Sequence, residues 1–154
     1  MSDITRFLTA QERSYETAKR ELQQGRKQSH WIWYIFPQIA GLGRSTTAVY
    51  YSIADMAEAK EYVANPVLHE RLLELCRILL NLPDSDPSRV MGWPDDMKLR
   101  SSMTLFREAD PEHEEYQQVL DKFFGGVGDE RTMELLGLGG LPVASGSFVS
   151  KFEN

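Results

Sequence analysis

The sequence predicts an all-α domain of about six or seven short helices in an irregular stack. Three observations lead there. Apolar residues recur at helical spacing, most clearly Leu68, Leu72, Leu75 and Leu79 at i, i+4, i+7 and i+11. Cap residues, prolines and glycines punctuate the chain at intervals that suit helices of one to four turns. No run alternates convincingly with the period of a strand, and no segment repeats at a fixed length. The 154 residues are 42% hydrophobic, 10% aromatic and 26% charged, the composition of a globular chain and not of a disordered one. A chain of this length buries roughly 70% of its unfolded surface, enough for one ordinary core. Residues 1–138 are therefore read as one domain. Residues 139–154, rich in glycine and serine, are read as an extended or mobile tail.

Each element has its own local reason. Thr9-Ala10-Gln11-Glu12 reads as a capping box, followed at helical spacing by Tyr15, Ala18 and Leu22 and ended by Gly25. Before it, Ile4, Phe7 and Leu8 suggest one short helical turn. Ser29 is placed to cap a short segment over 30–36 that stops at Pro37. Residues 41–45 form a glycine-containing loop, and 46–53 fit either a short helix or a strand. Asp55-Met56-Ala57-Glu58 is a second capping box, opening a helix that ends near Asn65. Asn65-Pro66 restarts the chain as helix, with a cap residue and then proline at the first helical position. Residues 83–87 are a loop. Asp86-Pro87 and Trp93-Pro94 each open a helix, the second running through Ser101 and Ser102 towards Phe106. Asp110-Pro111 is read as a further start, with Tyr116, Val119, Leu120, Phe123 and Phe124 inward and Gly125-Gly126 as the stop. Asp129 caps a last short helix carrying Met133, Leu135 and Leu136.

Charge and thiol content narrow the function. The net charge of −6 argues against a nucleic-acid or anionic-membrane surface, which needs clustered Lys and Arg. Arg13, Lys19, Arg20, Arg26 and Lys27 form only a modest cluster, read as compensation at a helix end. The single cysteine, Cys76, excludes an internal disulfide and a Cys-based zinc site. Its leucine neighbours make it a small buried hydrophobe. The first six residues carry neither the basic nor the apolar part of a secretory signal, and the longest apolar run, over 31–36, is too short to span a bilayer. A cytoplasmic location is expected. His69 and His113 fall on charged helical faces and, with His30, show no metal-ligand spacing. No metal and no cofactor are expected, and no sequence feature sets an oligomeric state.

Three segments can carry chemistry. On a helix over 30–36, His30, Trp33 and Tyr34 share one side while Ile32, Ile35 and Phe36 share the other, with Trp31 between. The aliphatic side suits the core. The other suits a pocket wall, where Trp33 and Tyr34 stack a planar ligand and His30 exchanges a proton. The alternative is that these aromatics fill the core and His30 bonds a loop carbonyl. Next, Gly41, Gly43, Arg44, Ser45 and Thr46 suit an anion cradle of backbone amides, a guanidinium and hydroxyls. They form neither a Walker A loop nor a complete GxGxxG, and a tight turn is the competing reading. Third, Asp95, Lys98 and Ser102 share one helical face. They read either as a lysine-activated serine or as an acidic first turn with an ordinary ion pair.

A resemblance enters on specific strings: Gly25-x-Lys27, His30-Trp31-x-Trp33, Phe36-Pro37-Gln38, Gly41-Leu42-Gly43-x-Ser45 and Lys98-x-x-Ser101-Ser102-x-Thr104-Leu105-Phe106. Over roughly residues 3–138 the chain resembles the bacterial domain-of-unknown-function 1810 family. That resemblance implies a small, cytoplasmic, all-helical protein and supplies no catalytic residues. Members are sometimes labelled calpastatin, whose inhibitors resemble disordered repeats, whereas this chain reads as globular and without a repeat. The tail after Gly140 lies beyond the resemblance.

Together these readings predict one polar-aromatic pocket for a small anionic or nucleotide-like molecule. It is built from His30, Trp33 and Tyr34, the loop residues Gly41, Gly43, Arg44 and Ser45, and Lys98 and Ser102 as neighbours. The competing expectation is a protein–protein interaction module without catalytic activity, presenting an apolar groove elsewhere.

Overall fold

A computed structural model of the chain describes residues 3–139, and the helical periodicities of the sequence become nine helices among them. In chain order these are α1 (Thr5–Gln23), α2 (Ile32–Ile35), α3 (Thr46–Tyr51), α4 (Met56–Ala64), α5 (Pro66–Asn81), α6 (Pro87–Met91), α7 (Asp95–Ala109), α8 (Glu115–Phe124) and α9 (Glu130–Leu135). Five have seven or more residues, and α2, α3, α6 and α9 are shorter. The expected tail, but for Gly139, lies outside the described residues.

Helix starts follow the caps. Asp55 accepts from the Glu58 amide, Asn65 from those of Val67 and Leu68, Asp86 from those of Ser88 and Arg89, and Asp129 from that of Thr132. Segment 46–53 resolves as helix α3, capped by Ser45, followed by an isolated parallel bridge between Ile53 and Ile39.

Helices α1 and α8 start elsewhere than expected. Helix α1 begins at Thr5, so the Thr9 box lies within it. The reason is one unbroken stripe, Phe7, Gln11, Tyr15, Ala18 and Leu22, all buried, which packs only if the helix runs through. Asp110 does not open α8. It ends α7, and α8 begins at Glu115.

Helix α7 is the centre of the stack and touches α2, α4, α6, α8 and α9, while α5 packs between α1 and α8. The stripe Leu68, Leu72, Leu75 and Leu79 is buried as expected. A chain of rings crosses the core from α1 through α4 and α7 to α8. Phe7 meets Tyr62 edge-on at 5.1 Å, Tyr62 meets Phe106 at 5.1 Å, and Phe106 meets Tyr116 at 6.2 Å between centroids. Cys76 is fully buried, and burial pushes its thiol pKa up, as befits an inert side chain.

Candidate functional site

Glu21, near the end of α1, organises the segment that leads to the site. Its buried carboxylate accepts four hydrogen bonds, from the Gln28 and Ser29 amides (2.8 and 3.0 Å), the Ser29 hydroxyl (2.5 Å) and Trp31 Nε1 (2.9 Å). Burial acts to raise the Glu21 pKa, but these donors outweigh it and hold the group at about 2. The Ser29 hydroxyl is thereby engaged with Glu21 and does not cap α2. Trp31 is fully buried beside Ile32, Ile35 and Phe36, which leaves Trp33 and Tyr34 half-buried on the other side of α2.

The same segment places Lys27. Its amide donates to Val90 O at 2.7 Å, and its ammonium lies 2.6 Å from Asp95 Oδ2 in the first turn of α7. Lys98, one turn on, lies 3.4 Å from Asp95 Oδ1 and 5.1 Å from the centroid of Trp33. Two ammonium groups share one carboxylate, so this triad keeps one positive charge, and Lys98 is held over an aromatic face.

Lys98 and Trp33 open onto a cavity of about 200 Å³ between α2, α3, the start of α7 and the loop over 38–43. The Ile39–Ile53 bridge shapes its floor. The Ile53 amide donates to Gln38 O and the Ala40 amide to Ile53 O, each at 2.8 Å, which brings Gln38, Ile39 and Ser52 to the wall. Tyr51 and Ala48 line it from α3, and Pro94, Met97 and Ser101 from the side of α7. The residues combine an indole, a phenol, an amide, two hydroxyls and one ammonium with an apolar remainder. Such a wall stacks a ring and fixes it by a few polar contacts.

Of the residues named from sequence, Trp33, Gly43 and Lys98 line this cavity. The others stand elsewhere. His30 is exposed and precedes α2, so it does not share a helical face with Trp33. Tyr34 faces α1, with its hydroxyl 3.0 Å from Ser14 Oγ, and lines a separate hollow with Arg6, Arg13 and Tyr50. The expected anion cradle does not assemble. Ser45 Oγ accepts from the Ala48 amide at 3.1 Å as the cap of α3, and Arg44 is exposed away from the cavity.

The two glycines have local reasons. Gly41 has φ +107°, and a Cβ there would meet Leu135 at 3.1 Å; at Gly43 a Cβ would stand 2.6 Å from Ala48 Cβ. Gly43 thus lets the loop close on α3. Nor does a lysine–serine pair form. Ser102 is fully buried outside the cavity, and its Oγ has no hydrogen-bond partner among the described residues.

Sequence reading missed the wall from Ile39, Ala48, Tyr51, Ser52 and Met97, because the bridge and the α2–α3 packing bring together residues of no common periodicity. A signal for part of the rest lay in the family strings. They contain six of the twelve lining residues: Trp33, Gln38, Leu42, Gly43, Lys98 and Ser101.

His69 and His113 were both expected on charged helical faces; His69 lies in α5, whereas His113 precedes α8. The two meet on Asp110: His69 Nε2 is 2.8 Å from Oδ2 and His113 Nδ1 is 3.0 Å from Oδ1. Spacing could not show this, because the fold, not the local sequence, brings His69 on α5 to the end of α7.

Among curated proteins none matches the chain. A solved structure does: the conserved hypothetical protein Rv1873 from Mycobacterium tuberculosis is 40% identical, with a TM-score of 0.86, over 88% of this chain and 96% of that one. The family model described as a protein of unknown function (DUF1810) matches residues 1–136. With that match spanning every described helix, the chain belongs to the DUF1810 family.

Proposed function

We propose that the cavity between Trp33 and Lys98 binds a small anionic or nucleotide-like molecule by one planar ring. The observation that carries this reading is the placement of Lys98, held by Asp95 and lying over Trp33 at the cavity wall. The cavity volume of about 200 Å³ gives room for one planar ring. The ring stacks between Trp33 and Tyr51, Gln38 and Ser52 recognise its edge, and the anionic group lies at the Lys98 ammonium. The gathering of the family strings around this cavity supports the same site.

The test is a thermal-shift screen of the full chain against planar carboxylic acids, nucleobases, nucleotides and sugar phosphates, followed by calorimetry on each hit. A ligand at a hundred times its Kd adds about 2.7 kcal/mol and raises Tm by several degrees. Trp33→Ala and Lys98→Met should each weaken binding at least tenfold, while His30→Ala and Arg44→Ala leave it unchanged. A screen without a hit, or a hit indifferent to Trp33 and Lys98, refutes the reading.

A further inference from the structure

We propose that His69, Asp110 and His113 form a binding site for a divalent transition-metal ion, with zinc as the first candidate. The site is independent of the cavity at Trp33. Asp110 stands twelve residues beyond Lys98 on α7, roughly 18 Å along the helix axis.

Two imidazoles and one carboxylate are the donor set that zinc, nickel and copper take from proteins. Here they come from three separate places: the first turns of α5, the end of α7 and the turn before α8. Their ligand atoms all lie within 4.8 Å of one another. Tetrahedral zinc, with bonds of about 2.0–2.2 Å, sets donors about 3.4 Å apart, so even the most distant pair need close by no more than about 1.4 Å.

The backbone at all three positions is already fixed. The His69 amide donates to Asn65 O at 2.9 Å, that of Asp110 to Phe106 O at 2.8 Å, and that of His113 to Asp110 O at 3.2 Å. Behind them the buried Tyr116 hydroxyl donates to Asp110 Oδ2 at 2.7 Å. This is the kind of support that orients a ligating carboxylate and leaves its other oxygen for the ion.

The two histidine bonds to Asp110 do not prevent loading. A carboxylate only accepts, so each imidazole now turns an N–H towards it. When the ion enters, each neutral ring carries its proton on the other nitrogen, Nδ1 of His69 and Nε2 of His113, and turns a lone pair to the metal. Both rings are partly open to solvent, the side chains of His69 and His113 being 22% and 34% exposed. His113 borders an open hollow to which Glu108, Glu114 and Asp121 contribute three carboxylates against the guanidinium of Arg107. That balance favours a cation.

The experiment titrates the full chain, free of any affinity tag, with zinc chloride by calorimetry and with cobalt(II) by visible absorption. Expected are one zinc per chain, a rise in Tm with zinc, and cobalt bands of the intensity given by four- or five-coordinate nitrogen and oxygen ligands. His113→Gln, on an exposed turn, carries the least risk to folding. With unchanged far-ultraviolet circular dichroism it should bind zinc at least tenfold more weakly, and His69→Gln should do the same. His30→Gln, which removes a histidine outside the cluster, should bind as before. Absence of stoichiometric binding to the parent chain overturns the proposal. So does a folded His113→Gln that binds with parental affinity, which would leave the cluster as a hydrogen-bonded tie between α5 and α7.

Discussion

Single side chains in this molecule differ sharply in how well their polar atoms are satisfied. Glu21 is the well-satisfied extreme. Its folded pKa of about 2 lies below the ordinary value of 4.5, so its contribution to stability is complete above pH 4.5 and is lost as pH falls towards 2. The shift corresponds to at most about 3 kcal/mol. Denaturant unfolding measured from pH 7 to pH 2 should show that loss in the parent chain. Glu21→Gln should be less stable at pH 7 and show a shallower decline over the same window, and parallel curves would contradict the assignment. Ser102 is the opposite extreme, a fully buried hydroxyl without a partner among the described residues. An unpaired buried hydroxyl opposes folding, so Ser102→Ala should raise unfolding stability by about 1 kcal/mol. A loss of stability in urea titrations would mean that the hydroxyl is satisfied in solution.

At the scale of elements, the cavity depends on how the short helix α3 is seated. It has no buried residue of its own, and it is held by the Ser45 cap, the Ile39–Ile53 bridge and the close approach of Gly43 to Ala48. Gly43→Ala inserts a methyl group where there are 2.6 Å to the Ala48 Cβ. Overpacking of this kind costs about 1–3 kcal/mol. Here it should push α3 outward, so that Tyr51 and Ser52 leave the wall and ligand affinity drops beyond what the loss of stability accounts for. Calorimetry and thermal unfolding on one Gly43→Ala sample separate the two effects. Unchanged affinity would show that α3 does not set the cavity's shape. Helix α5 is anchored differently at each end, by Asn65 at its start and by Lys122, which donates to Leu79 O (2.8 Å), Leu80 O (3.1 Å) and Leu82 O at its finish.

Across the whole molecule, a few long-range ties make distant segments depend on one another. Arg6 on α1 donates to Tyr50 O at 2.9 Å and Ser52 O at 2.8 Å, and it pairs with Glu58 on α4 at 3.2 Å. Both partners of that ion pair are nearly buried, with 10% and 5% of their side chains exposed. Arg6→Met would leave Glu58 charged without its cation and should cost about 3 kcal/mol. Because Tyr51 and Ser52 line the cavity, the same change should also weaken ligand binding. Adding Glu58→Gln should restore part of the stability, and a double-mutant cycle in guanidinium reads this directly. An additive cycle would show that the pair contributes nothing beyond its separate members. The single apolar core running through α1, α2, α4, α5, α7 and α8 predicts one cooperative unfolding transition for all probes. No helix among the described residues is long and apolar enough to cross a membrane.

What the sequence determined by itself is whatever rests on neighbours within a turn or two. Asp55, Asn65, Asp86 and Asp129 are caps because a side-chain oxygen reaches amides two or three residues on. Leu68 to Leu79 form a buried stripe because 3.6 residues per turn bring them to one side. The split of α2 into a buried aliphatic side and a half-buried aromatic side was legible for the same reason. Even local rules failed where a longer stripe overrode them, as at Thr9, or where a side chain found a distant partner, as Ser29 did in Glu21. Tertiary structure alone decided which of the expected pocket residues meet, Trp33, Gly43 and Lys98 at one cavity with His30, Tyr34, Gly41, Arg44, Ser45 and Ser102 outside it, and that His69, Asp110 and His113 converge. These groupings join residues tens of positions apart on helices whose relative placement is set by packing of the whole core. No spacing within one segment carries that information.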